Sequence, residues 1–157
     1  MTVLKISGAV LVLMSCFFWS ADKKAGLREH LDALDACVRF INYVRREIDC
    51  FSTLFPDILS GFSDKVFDKY SFTALAADDP RAAAEKLPLK EEEKEDMITF
   101  LSSVGRGFAE GELKLCDFYA EKFNAAAGAA REEYPRRTKV QSSLAFLVGA
   151  CAVILLI

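Results

Sequence analysis

The chain has 157 residues, with 23 acidic and 20 basic side chains and a net charge of −3. That leaves room for one domain once the apolar ends are subtracted, and it supplies no basic footprint for nucleic acid. Five cysteines, an odd number with no Cys-x-x-Cys pair, argue against a disulfide framework and for reduced thiols in a cytosolic or lipid setting.

Charge is placed unevenly. Between Lys23 and Arg137 fall 22 of the 23 acidic and 18 of the 20 basic residues, so both ends are nearly uncharged. The first apolar segment, 3–21, carries only Lys5; its length suffices for a membrane span, and Trp19 sits where indoles favour the far interface. A cleaved signal peptide would need a cut after Ala21, which sets bulky Trp19 at a position that signal peptidase disfavours. Leu13-Met14-Ser15-Cys16 is a faint lipoprotein box, but Phe17, Phe18 and Trp19 continue the apolar run. The reading is an uncleaved anchor, with a lipoprotein cut before Cys16 as an alternative.

From 27 to 54 apolar residues recur at Leu27, Leu31, Leu34, Val38, Ile41, Ile48 and Phe51, with Val44 and Leu54 on the same side. Steps of three and four predict one stripe of a long amphipathic helix, continuous with the first span. Its opposite face holds Arg28, Asp32, Asp35, Arg39, Arg46 and Asp49. Pro56 predicts a break and a new helix start over 57–61. Ser63-Asp64 caps a short helix through Phe67 and Tyr70. Asp78-Asp79-Pro80 is the clearest cap, opening a helix over 81–87 that Leu87-Pro88-Leu89 ends.

The acidic run Glu91, Glu92, Glu93, Glu95 and Asp96 precedes Met97, Ile98, Phe100, Leu101 and Val104. It reads as the solvated first turns of a helix, where carboxylates complement the dipole, or as a docking patch. Gly105-Arg106-Gly107 is a turn, too sparse for a phosphate loop. A second long helix is predicted over 110–134, with a narrow Ala-Gly block at 125–130 that admits a close neighbour. Pro135 is expected to kink or interrupt the passage into the last segment. That segment, 140–157, is uncharged and reads as a second span entered past Arg136, Arg137 and Lys139, which can snorkel.

Two spans put both termini on one side and 22–139 on the other. Basic residues cluster at both junctions with the middle region, so the positive-inside rule holds that region in the cytoplasm. The fold class is therefore all-α: an antiparallel cytosolic helical bundle over 22–139, with a transmembrane helix at each end, 3–21 and 140–157.

No catalytic set emerges. His30 is the lone histidine and reads as a solvent-facing or partly packed side chain near the membrane surface. The central cysteines are too dispersed for zinc, and no cofactor or metal is implied. Arg45-Arg46-Glu47 abuts the apolar stripe, as a partner-binding patch or a salt-bridged bundle face.

Taken together, several short motifs resemble the stage III sporulation protein AB family. They are Leu4-Lys5-Ile6-Ser7-Gly8-Ala9-Val10-Leu11, Arg46-Glu47-Ile48-Asp49-Cys50-Phe51-Ser52-Thr53-Leu54, Phe100-Leu101-Ser102-Ser103-Val104-Gly105, and the close on Ile154-Leu155-Leu156-Ile157. Phe51 stands where the family has Tyr or His, the Thr-Pro step lacks its proline, and Gly111-Glu112-Leu113-Lys114 replaces a Gln-rich stretch. Pro135 interrupts a helix that the family keeps unbroken. The resemblance covers the whole chain and implies a two-pass protein of the mother-cell membrane facing the forespore. It implies a non-catalytic platform, like those of type II secretion and type IV pilus machines, that docks a cytosolic secretion-type ATPase beside other channel membrane proteins. Arg45, Arg46 and Glu47, aided by Glu91, Glu92 and Glu93, are the candidate partner-binding residues. The alternative is a small membrane protein that binds lipid or acts as an enzyme.

Overall fold

The structure, a computed structural model, describes the backbone of residues 2–51 and 54–156, and the side chains of 14–15, 24–50, 54–136, 139, 143 and 147. Among these residues every regular element is helical: α1 (Thr2–Phe51), α2 (Phe55–Gly61), α3 (Lys65–Lys69), α4 (Phe72–Asp78), α5 (Pro80–Lys86), α6 (Glu91–Ser103) and α7 (Ala109–Leu156). The protein is all-α. The chain divides into two units, Glu29–Ala129 and the ends Met1–Arg28 with Ala130–Ile157.

Sequence-coded caps place the short helices of the first unit. Pro56 occupies the first turn of α2, where its missing N–H costs nothing. The Asp64 carboxylate accepts the Val66 N–H at 2.9 Å and opens α3. Asp79 accepts from the amides of Arg81 and Ala82 to open α5. At α6 the Glu93 carboxylate accepts the Lys90 N–H at 2.8 Å, half of a capping box. The short helix α4 was not foreseen. Ser71 precedes it in the left-handed region, φ 54°, a backbone state that no sequence signal announced.

The apolar stripe of α1 is broader than expected and lies one notch over. Ala33, Leu34, Ala36, Cys37, Phe40, Ile41, Val44 and Ile48 are buried, while Leu31 and Val38 are only half so. Leu54, expected on that stripe, lies beyond α1 and is 72% exposed; Pro56 starts a new helix axis and takes Leu54 out of the periodicity. Phe51, also assigned to the stripe, lies outside the residues with described side chains.

Phe40 is the centre of the core. Its ring meets Phe62 at 5.2 Å, Phe67 of α3 at 5.5 Å, Phe72 of α4 at 5.7 Å and Phe100 of α6 at 6.3 Å. Phe100 in turn packs edge-on against Tyr119 of α7 at 5.6 Å. Three short or medium helices, the residue that follows α2, and α7 are thus tied through aromatics to one position of α1. Offset and edge-on rings each add about 0.5–1.5 kcal/mol beyond the area they bury.

The last helix continues through Pro135, so the proline does not interrupt it. A proline removes one backbone N–H, and a helix of 48 residues keeps its other bonds on either side. The two expected spans, 3–21 and 140–157, fall almost wholly on residues outside those with described side chains. Among the described residues no helix is long and apolar enough to cross a membrane.

Candidate docking site

Arg45, Arg46 and Glu47 lie near the end of α1, and the structure gives them three different situations. Arg45 donates through Nε to Asp117 Oδ1 of α7 at 2.6 Å. That hydrogen bond, with the charge of Asp117, pushes the guanidinium pKa above its ordinary value, so this arginine is spent on joining two helices. Arg46 is the open one. Its side chain is 63% exposed, stands 3.8 Å from Glu47 and lies over the Tyr43 ring at 5.4 Å. Glu47 is mostly covered, at 17% exposure. Asp117 was not foreseen as Arg45's partner, because 72 residues separate them and nothing local links them.

The acidic run is equally divided. Glu91 is almost fully exposed and takes Lys94 Nζ at 2.8 Å, an i,i+3 pair on the helix surface. Glu92 is exposed and lines a 240 Å³ cleft with Lys90, Asp96, Lys122 and Phe123. Across that cleft Lys122 of α7 donates to Asp96 of α6 at 2.7 Å, which raises the lysine's pKa. Glu93 points inward, 12% exposed, with one oxygen on the Lys90 amide and the other 3.5 Å from His30 Nε2.

His30 is the partly packed histidine that its sequence position suggests. Its Nδ1 meets the Pro88 carbonyl at 2.9 Å, so that nitrogen carries the proton and donates. Nε2 is buried and faces only the Glu93 carboxylate. The imidazole therefore ties α1 to the Pro88 carbonyl, while Nε2 makes no hydrogen bond 3.5 Å from Glu93.

These contacts also measure the distance between the two charged patches. Glu93 lies against His30, and Arg46 is sixteen residues further along the same helix, roughly 24 Å at 1.5 Å per residue. One small partner surface does not cover both; a partner that reads both must lie along α1.

The two buried thiols are poor nucleophiles. Burial, then the charges of Glu93 and Asp64, drives the Cys37 thiol far above the ordinary range. Burial, then Glu112 and Asp117, raises Cys116 to about 11. Cys50 is exposed. Among the described residues no group of three or more His, Cys, Asp or Glu side chains converges on a metal position. Two exposed large apolar side chains of this unit, Phe108 and Phe118, carried no signal in the sequence, since hydrophobicity alone does not say which residues face out.

An all-helical unit whose charges mainly join one helix to another is, as a class, a scaffold of packed helices. The family model of Stage III sporulation protein AB matches residues 5–157, and the chain belongs to that family. Its role is accordingly in sporulation. No curated protein and no solved structure matches the chain.

Proposed function

We propose that this protein is a non-catalytic membrane platform that docks a cytosolic secretion-type ATPase in the channel between mother cell and forespore. Residues 3–21 and 140–157 cross the mother-cell membrane, and 22–139 form an antiparallel bundle on its cytoplasmic side, next to other channel membrane proteins. The observation that carries this reading is the family match, which runs over 5–157 and so takes in both apolar ends with the charged middle. The contact register supports the bundle: His30 lies by Glu93 and Phe40 meets Phe100, so α1 and α6 run the same way, while Phe100 meets Tyr119 and Asp96 meets Lys122, so α7 runs the opposite way.

Arg46 is the residue proposed to meet the ATPase, with Glu47 beside it and Glu91 and Glu92 as the outlying acidic contacts. Arg45 and Glu93 support that face from within, through Asp117 and through the Lys90 amide. The test is a calorimetric titration of the assembly ATPase into the full-length protein in nanodiscs, wild type beside Arg46→Glu. Binding by the wild type is expected, weakened several-fold by Arg46→Glu and more so at low salt, because exposed charges act through screened attraction. A wild-type protein that binds no ATPase contradicts the platform. A variant that binds normally contradicts only the choice of Arg46.

A further inference from the structure

Charge separates the two units of the fold. The unit of the ends, Met1–Arg28 with Ala130–Ile157, holds 8 basic and 3 acidic residues, a net charge of +5. Glu29–Ala129 holds 12 basic and 20 acidic residues, a net charge of −8. The cations of the two units are also used differently. Among the described residues, eight of the twelve in Glu29–Ala129 sit in ion pairs. In the unit of the ends, Lys24, Arg28, Arg136 and Lys139 have no ion pair among the described residues. Arg28, Arg136 and Lys139 are exposed and Lys24 is half so.

The helices that carry these four fix their height. Both α1 (Thr2–Phe51) and α7 (Ala109–Leu156) run unbroken past them. Lys24 and Arg28 follow the apolar segment 3–21 by three and seven residues, and Arg136 and Lys139 precede 140–157 by four and one. At 1.5 Å of rise per residue, all four backbone positions lie within about 10 Å of the end of an apolar segment. The i,i+4 spacing of Lys24 with Arg28 and the i,i+3 spacing of Arg136 with Lys139 put each pair on one helix face. The acids of this unit, Asp22, Glu132 and Glu133, are too few to cancel its eight cations.

We propose that Lys24, Arg28, Arg136 and Lys139 form a collar that binds the phosphodiester headgroups of anionic lipids. The inference rests on the two-span reading above, which sets the four at headgroup level. Their distance from the apolar segments is about one Debye length, roughly 8–10 Å at moderate salt, so the field of an anionic leaflet reaches them. Each lysine or arginine so placed strengthens attraction roughly fivefold, and the flexible stems let the charged heads reach the phosphates. A zwitterionic leaflet offers no such net field. The Glu29–Ala129 unit, at −8, is repelled by the same anionic surface, so attraction is confined to the collar.

Trp19, the one tryptophan of the chain, precedes Lys24 by five residues, about 7.5 Å of helix, and reports on the lipid beside it. Full-length protein is placed in nanodiscs in which the same fraction of lipid is brominated phosphatidylglycerol or brominated phosphatidylcholine, and quenching of Trp19 is compared. Preference for phosphatidylglycerol of at least fivefold is expected at low salt, declining as salt is raised. Replacing all four cations by glutamine should bring it below twofold with helicity unchanged. Exchanging lysine for arginine and arginine for lysine at the four positions should keep it. Lys86→Gln with Arg106→Gln, at exposed cations of the acidic unit that have no ion pair among the described residues, should also keep it. Inorganic phosphate should reduce the preference no more than chloride of equal ionic strength does. The proposal is overturned by equal quenching from the two lipids, by a glutamine variant that keeps the preference, or by an exchanged or control variant that loses it. Displacement by phosphate beyond the chloride effect overturns it in favour of a site for free phosphate. Equal quenching leaves the two-span reading standing, whereas no quenching by either lipid overturns that reading and the collar together.

Discussion

Asp64 divides its carboxylate between two helices. One oxygen caps α3 through Val66 N–H at 2.9 Å, and the other accepts both Nε and Nη2 of Arg39 on α1, at 2.9 and 2.7 Å. The cap was legible from Ser63-Asp64; the arginine was not, since it stands 25 residues away on the face read as solvated. Asp64→Ala is expected to cost about 1–2 kcal/mol, mostly the cap, because Arg39 is half exposed and its pair is screened. Asp64→Asn, which can still cap, should recover most of that loss in thermal denaturation. Phe40→Ala, which removes the ring that four others share, is expected to cost about 3–5 kcal/mol. The buried thiols give a pH dependence with a definite sign. Below the ordinary thiol range Cys37 and Cys116 are neutral in both folded and unfolded chains and contribute no slope. Above about pH 9 the unfolded thiols ionise while the folded ones hold their protons, Cys116 up to about 11. The unfolded state then binds fewer protons and stability falls as pH rises. A Cys37→Ala, Cys116→Ala double variant should flatten that decline in urea titrations from pH 8 to 10.5.

At the scale of elements, what could be read was what short-range chemistry dictates. Pro56, Asp64 and Asp79-Pro80 each mark a helix start within a residue or two of its observed place. The misses have physical causes. No residue type encodes Ser71's left-handed backbone, so α4 stayed hidden between Tyr70 and Asp78. Ala33, Ala36 and Cys37 are small and mildly apolar, so the stripe of α1 looked narrower than it is and Phe40 was passed over. Of the kink or interruption expected at Pro135, the interruption does not occur, since α7 continues past it. Gly105 is the element boundary where sequence and geometry agree most closely: a turn was read there, and it needs both a positive φ and the lack of a Cβ beside Phe55. Gly105→Ala is expected to destabilise by about 1–2 kcal/mol, seen as a lower midpoint in urea with an unchanged slope. An unaltered midpoint would show that the α6–α7 connection yields easily.

For the whole molecule, membership of the stage III sporulation protein AB family was legible in four short motifs and their order, though none of them is specific alone. The helical class followed from periodicity and from the lack of hairpin turns. The docking surface was much less legible. Of Arg45, Arg46, Glu47, Glu91, Glu92 and Glu93, three proved to be exposed and three engaged within the fold, and only tertiary contacts could separate them. The account turns on the proposal that the Glu29–Ala129 unit meets its partner in the cytoplasm, and one side chain reports on that directly. Cys50 is exposed, whereas Cys37 and Cys116 are buried. In a Cys16→Ser, Cys151→Ser background, Cys50 should be the one thiol of this protein open to a membrane-impermeant maleimide. In sealed sporulating cells the account expects no labelling of Cys50, followed by full labelling once the membrane is permeabilised. Strong labelling of Cys50 in sealed cells would put the unit on the other side of the membrane, out of reach of any cytosolic ATPase.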